Sequence, residues 1–531
     1  MPVSSRDIII TELKDTVADL RGIILTLQTA LSESVAQGKL LSDQNALLTE
    51  KIEYLTNKLF GTKSEKAQVD GQLNLFEKEA VPLENNIDSL PPIIIAAHTR
   101  KPKTTLEEKI KGLPVEEVIC HLKEGECNCP YCNAMMEVIG RKVVRREVEL
   151  IPQKVKVIEY VSLSYGCPDC KEDGASCIVN APVPAGLMKH SAASPSTVAW
   201  VMYQKYHNGM PLYRQQNDWK HTGFELSRAT MANWVIYCAE RYLKPIYDYC
   251  HRLLVLRKFL MADETRCQIL NEPGRKPQTD SYMWAFRSGE DGLPSIILFM
   301  YSETRAGINA QKFLEGFHGY LMTDAFSGYN KVPDVKHCPC FAHIRRYFFE
   351  AIPKGMENDL THPAVQGLNY INKLFEYERI FKEQQLSTKQ VYENRLKKEK
   401  PVLDAFNAWL DKQNPIPGSR FEKAVNYAIN RRGTMETYLE DGRCSFSNAL
   451  TELLMKSFAT GRKGWLFSDS VDGANASAIT YSLVEMAKAS GIHVFEYIKY
   501  LLESRPHKDM TDSELEALLP WHPEVVAKCK L

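Results

Sequence analysis

The chain has 531 residues, 44% of them hydrophobic and 25% charged, with 66 basic residues against 66 acidic ones. That length exceeds one ordinary core and implies several domains, while the even charge argues neither for nor against nucleic acid, since local basic patches survive cancellation by distant acids. No apolar run reaches the ~18 residues of a membrane span, the start lacks a signal-peptide pattern, and fourteen cysteines in so long a chain make no disulfide scaffold, so a cytoplasmic protein with some thiols free for metal is expected.

Residues 1–61 carry a seven-residue repeat. Leu13, Leu20, Leu27, Leu41, Leu48 and Leu55 fill one seam position, with Ser34 as the lapse; Ile10, Val17, Ile24, Leu31, Ile52 and Leu59 fill the other, with Gly38 and Asn45 as lapses. Leucine at one position and β-branched residues at the other suit a parallel coiled-coil homodimer, with a break near Ser34 and Gly38. Residues 62–105 read as a linker. In 106–185, "CPYC" and "CPDC" supply Cys129, Cys132, Cys167 and Cys170, two knuckles that can offer four thiolates to one structural Zn2+, with the strand-rich stretch between them bringing the knuckles together. Cys120, Cys127 and Cys177 have no equivalent pairing.

Residues 186–252 read as helices. A helix from about 212, a turn at Gly223, a Ser227 cap and a second helix to about Val235 have the punctuation of a helix-turn-helix, with Arg228, Thr230 and Asn233 on or near the groove-facing side. A helical hairpin that never touches DNA has the same punctuation.

Residues 253–351 predict the order β-β-β-α-β-α-β-α, that of a ribonuclease-H-like core. Its first strand, "KFLMAD", ends on Asp263 and its fourth, "GYLMTD", on Asp324. Those two strands are neighbours in that architecture, so the carboxylates would meet and repel unless a hard cation such as Mg2+ or Mn2+ neutralised them. A charged helical insertion spans 352–435. The core resumes over 436–491, and 492–531 form a helical tail. Glu452 opens the first helix after the insertion, with Lys456 one turn on and Arg462 and Lys463 beyond it; Glu485 is the competing third acid. The fold class expected is thus multidomain α+β: coiled coil, zinc-binding β-rich domain, helix-turn-helix, and a ribonuclease-H-like α/β catalytic core with a helical insertion.

The strings "CPYC", "CPDC", "MPLYRQQ", "LSRATMANWV", "ADET", "TDAFSGYN", "AHIRRYF", "YLEDGR", "GRKGWLF", "YSLVEMAKASG" and "ALLPWHP", in this order, resemble the transposases of the insertion sequence 66 family over nearly the whole chain. The resemblance implies a DDE transposase. Asp263, Asp324 and Glu452 would be its catalytic and metal-holding acids, and His343, Arg345 and Arg346 also match, the arginines expected to face DNA phosphates. The chain departs where family members place an Arg after the Glu: it has "SFSNALTELL", with Asn448 and Glu452 in place but Leu453 instead of Arg. The activity implied is binding of terminal inverted repeats, then metal-dependent strand cleavage and strand transfer. Partners would be element-end and target DNA, a second copy through the coiled coil, and accessory proteins of the same element. A transposition-inactive regulator that occupies element ends, and a nuclease that cuts without rejoining, are the alternatives.

Overall fold

The computed structural model describes residues 5–60, 115, 141, 143, 154–166, 178–324 and 326–530, with first-helix side chains described over 16–45 and 47–52. The chain divides into two units, Met1–Pro82 with Ile158–Leu531, and Leu83–Val157; the described residues of the second are exposed. The four knuckle cysteines lie outside the described residues.

Ser5–Phe60 is one helix of 56 residues. It runs through Ser34 and Gly38 without the expected break, since one glycine costs a long helix only ~1 kcal/mol. Its described seam residues, Val17, Leu20, Ile24, Leu27, Leu31, Leu41, Leu48 and Ile52, are all exposed, so this apolar stripe has no cover among the described residues. Near its end, Glu50 pairs with Arg420 at 2.8 Å. Two short antiparallel strands follow, β1 (Ser164–Gly166) and β2 (Ile178–Asn180), with Ser164 opposite Asn180. They bracket the segment that holds Cys167 and Cys170, whereas residues 154–163, expected to be strand, are exposed and irregular.

Helices Leu212–His221 and Arg228–Cys238 form the anticipated hairpin. Gly223 turns it at φ +82°, and Ser227 Oγ caps the second helix by accepting from Thr230 N at 3.1 Å. Trp219, Leu226, Met231 and Trp234 are buried, which leaves Arg228 and Asn233 exposed; Thr230 is half-buried, with its amide and hydroxyl both turned to the cap.

The main sheet has the order β5-β4-β3-β6-β7, with β8 also pairing β3. Its strands are β3 (Phe259–Asn271), β4 (Asp280–Ser288), β5 (Ile297–Ser302), β6 (Tyr320–Thr323), β7 (Lys336–Pro339) and β8 (Ser468–Ser470). β3, β4 and β5 are antiparallel neighbours, whereas β6 runs parallel to β3 and β7 parallel to β6. The chain is therefore a mixed α/β protein with many helices around a mixed sheet. Two sequence expectations change. β3 does not stop at Asp263 but continues eight residues further, because β4 pairs with it as far as Gln268, Asp263 opposite Ala285, and β8 pairs with Ile269 and Asn271. The connection between β6 and β7 is a 3-10 turn, Ser327–Lys331, too short for the α-helix expected there.

Helix Val471–Ala489 is buried from Ala476 to Ala487, and its Ser482 Oγ accepts from Phe299 N at 2.8 Å, which covers part of the open edge of β5. On the β7 side the chain runs into helix Phe341–Glu350, against which the insertion packs: Phe348 meets Phe406, Trp409 and Phe421. Arg395, almost fully buried, ties the insertion to the returning chain. Its guanidinium donates to Glu378 at 2.6 Å and to the carbonyls of Tyr438, Asp441 and Cys444 at 2.9–3.1 Å. That clamp sets where the segment leading to Asn448 and Glu452 begins.

Candidate active site

Strand register brings the first two acids level. Met261 pairs with Met322 and Met322 with Cys338, all in parallel, so the positions two residues on stand level, Asp263 within β3 and Asp324 and Cys340 just past the ends of β6 and β7. β6 ends at Thr323, which opens a cleft beside the still-running β3. The cleft, of about 410 Å³, is lined by Arg305, Asp324, Phe326, Ser327, His343, Arg346, Tyr347 and Tyr427.

Asp263 is the most perturbed acid of this edge. Burial pushes its carboxyl up to about 8, the charges of Glu264 and Asp324 push the same way, the Glu264 amide (2.9 Å to Oδ1) pulls it back, and the Glu452 charge adds a further rise. Asp324 Oδ1 accepts from Phe326 N at 2.9 Å. Glu452 lies in the first turn of helix Ala449–Trp465, where its Oε1 is 3.6 Å from His343 Nε2. Asn448, fully buried just before that helix, donates its side-chain amide to Ala262 O at 3.1 Å and its backbone amide to Cys340 Sγ at 3.1 Å. One residue thus joins the strand of Asp263, the end of β7 and the helix of Glu452.

Glu485, the competing acid, sits elsewhere. Its Oε1 accepts from Ser457 Oγ at 2.9 Å and from Lys488 Nζ at 2.8 Å, and its charge reaches His207 and Arg287. Arg345 also departs from expectation. It donates to Asn372 Oδ1 of the insertion at 2.6 Å, and burial lowers its pKa, so it braces the protein instead of facing the cleft. Arg346 is exposed and lines the cleft; Lys456 and Lys463 are exposed on the Glu452 helix, and Arg462 is half-buried there. Leu453, next to Glu452, is exposed.

Three further groups, none assigned a role from the sequence, stand at this edge. Glu264, beside Asp263, accepts from Arg305 Nε at 2.7 Å and from Tyr329 Oη at 2.6 Å; burial raises its pKa, against those two bonds. Arg305 also reaches to 3.8 Å of Asp324 and lies over the Phe326 ring at 4.0 Å, so its cation offsets the crowded carboxylates. No local pattern marks Arg305: its place depends on Gly307 meeting Gly328, where an added Cβ would come within 2.1 Å of the Gly328 carbonyl oxygen. The third is Cys340. Burial pushes its thiol up to about 11, against amide contacts from Asn448 and His343, and its spacing from His343 (Cys-Phe-Ala-His at a helix start) was the available signal.

The profile of the transposase IS66 family matches residues 190–476, that of the zinc-finger binding domain of transposase IS66 residues 126–171, that of the IS66 C-terminal element residues 482–521, and that of the transposase C of IS166 homeodomain residues 47–118. Among relatives, uncharacterized protein y4jD of Sinorhizobium fredii is 28% identical over 428 residues, covering 78% of this chain and 81% of its own. Uncharacterized protein y4qI of the same organism is 24% identical over 553 residues, covering 97% and 98%. Among the described residues no helix is long and apolar enough to cross a membrane.

Proposed function

We propose that this chain, which belongs to the transposase IS66 family, cuts DNA at the ends of its element and joins the freed 3′ ends to target DNA, with Asp263, Asp324 and Glu452 as the acids that hold the metal. The observation that carries the reading is the common level of Asp263 and Asp324 on adjacent parallel strands, with the Glu452 charge felt at Asp263. A sheet of three antiparallel strands extended by two parallel ones, with acids level on neighbouring strands, is also what a ribonuclease-H-like core requires.

The donors suit Mg2+ or Mn2+. They are carboxylate oxygens, and a carboxyl raised to about 8 by burial and then by neighbouring carboxylates gains most from a cation. Bound divalent metal supplies charge to stabilise the attacking and leaving oxygens of phosphoryl transfer. The chain's own groups do the rest. Asn448 fixes the helix that carries Glu452 against the strand of Asp263, Arg305 and Tyr329 hold Glu264 out of the cleft, and Arg346 and Lys456 offer cations for a phosphate backbone. No Ser, Tyr or Cys nucleophile is needed.

The family's DNA-binding and zinc-finger elements fit the remaining regions. Arg228 and Asn233, exposed on the second hairpin helix, are the groove-reading candidates; Cys129, Cys132, Cys167 and Cys170 all fall within the zinc-finger match and would hold one Zn2+. The exposed seam of Ser5–Phe60 suits pairing of two copies, which would bring both element ends into one complex.

The test is a cleavage and strand-transfer assay on an end fragment with Mg2+. Asp263→Asn, Asp324→Asn and Glu452→Gln should each abolish cleavage while end binding persists, and Glu485→Gln should still cut. Cleavage without joined products would make the protein a nuclease; undiminished cleavage by Asp263→Asn would overturn the reading.

A further inference from the structure

The surroundings of Glu452 differ in kind from those of the two aspartates. Cys340 caps the start of helix Phe341–Glu350 and His343 follows in its first turn, so both point from one helix end toward the first turn of the Glu452 helix. One ligand atom from each of Cys340, His343 and Glu452 lies within 4.8 Å of the other two, and the imidazole–carboxylate pair is already at 3.6 Å. Tetrahedral coordination at the usual Zn–N and Zn–O lengths of ~2.0–2.1 Å sets neighbouring N and O ligands at ~3.3–3.4 Å, so that pair needs almost no movement and the thiol about an ångström.

We infer that Cys340, His343 and Glu452 form a second metal site, one that takes a borderline divalent ion such as Zn2+ and not Mg2+. The ligand class decides the ion. Thiolate and imidazole select zinc or cobalt, whereas magnesium demands hard oxygens and a nearly complete octahedron. The geometry also provides entry and closure. His343 lines the cleft and Glu452 is partly exposed, so an ion can arrive from solvent, while Cys340 lies buried behind them. His343 Nδ1 is buried with no hydrogen-bond partner among the described residues, so no hydrogen bond at that nitrogen opposes a small turn of the ring toward an ion.

An ion in this site engages Glu452. Under the transposase reading, and only under it, zinc would therefore withhold the third acid from Asp263 and Asp324. Binding itself does not depend on that reading.

The experiment counts metal in the full-length chain after dialysis against micromolar free Zn2+ with excess Mg2+. With its knuckles intact the wild type should hold about two zinc ions, one at the knuckles and one here. Cys340→Ser and His343→Gln should each hold one fewer, with unchanged circular dichroism. His343, being half-buried, is the substitution the fold tolerates best, and it keeps the test decisive if Cys340→Ser fails to fold. In Asp263→Asn all three ligands remain, so it should keep the second ion while losing cleavage. Failure of the transposase reading would therefore leave the zinc count untouched. Equal zinc content in wild type and folded His343→Gln, or loss of the ion in Asp263→Asn with Cys340 and His343 intact, would overturn the inference.

Discussion

Replacing Asp263 by Asn should make the metal-free protein more stable while destroying its activity. The carboxyl titrates near 3.8 when unperturbed and is pushed up to about 8 in the fold, first by burial and then by Glu264 and Asp324. Between those values the folded state holds a proton that the unfolded chain has released. Stability of the metal-free fold therefore falls as pH rises through this window. At about 1.4 kcal/mol per pH decade, the loss reaches a ceiling of about 1.6 kcal/mol at pH 5 and about 4 kcal/mol at pH 7. Asparagine carries no charge at either pH and removes that loss. Calorimetry of the wild type and Asp263→Asn in chelator should show the variant melting higher, with a gap that widens from pH 5 to pH 7. Saturating Mg2+ should reverse the order, because only the wild type keeps the full carboxylate set and gains binding energy on folding. A variant no more stable than the wild type at pH 7, or a gap that does not grow with pH, would refute the assignment of Asp263 as a crowded, desolvated acid.

Three further outcomes are expected. Gly307→Ala should cost ~1–3 kcal/mol by overpacking, since its Cβ would meet the Gly328 carbonyl oxygen at 2.1 Å; urea unfolding measures the cost, and weakened cleavage should accompany it as Arg305 shifts. A peptide spanning residues 5–60 should sediment as a dimer at tens of micromolar and lose both helix and dimer when Leu20 and Leu48 become Pro; a monomer at that concentration would rule out the zipper. Cys129→Ser combined with Cys167→Ser should remove about one zinc per chain and weaken binding to element ends, as read by metal analysis and gel shift.

The family was legible in the sequence because its strings are local: knuckle pairs, a capped hairpin, acids at fixed distances from apolar runs. The same locality made the strands of the core and their order readable, since a run such as "KFLMA" declares a buried strand wherever it packs. Local pattern could not say where β3 would end. Asp263 looks terminal in the sequence, yet pairing with β4 and then β8 carries the strand on to Asn271, and the cleft arises because β6, not β3, stops. Local pattern favours Glu452 over Glu485 only through the place of Glu452 on the first helix after the insertion and the basic run behind it. The choice of neighbours depends on Arg395 pinning the returning chain and on Asn448 bridging Ala262 and Cys340, contacts between residues 43 to 186 positions apart. Arg345 and Arg346 differ by one residue in sequence but by about 100° around a helix, and only the packed insertion decides which faces Asn372 and which the cleft. Periodicity and spacing set the elements; register, helix rotation and the insertion's packing, all properties of distant pairs, set which side chains meet.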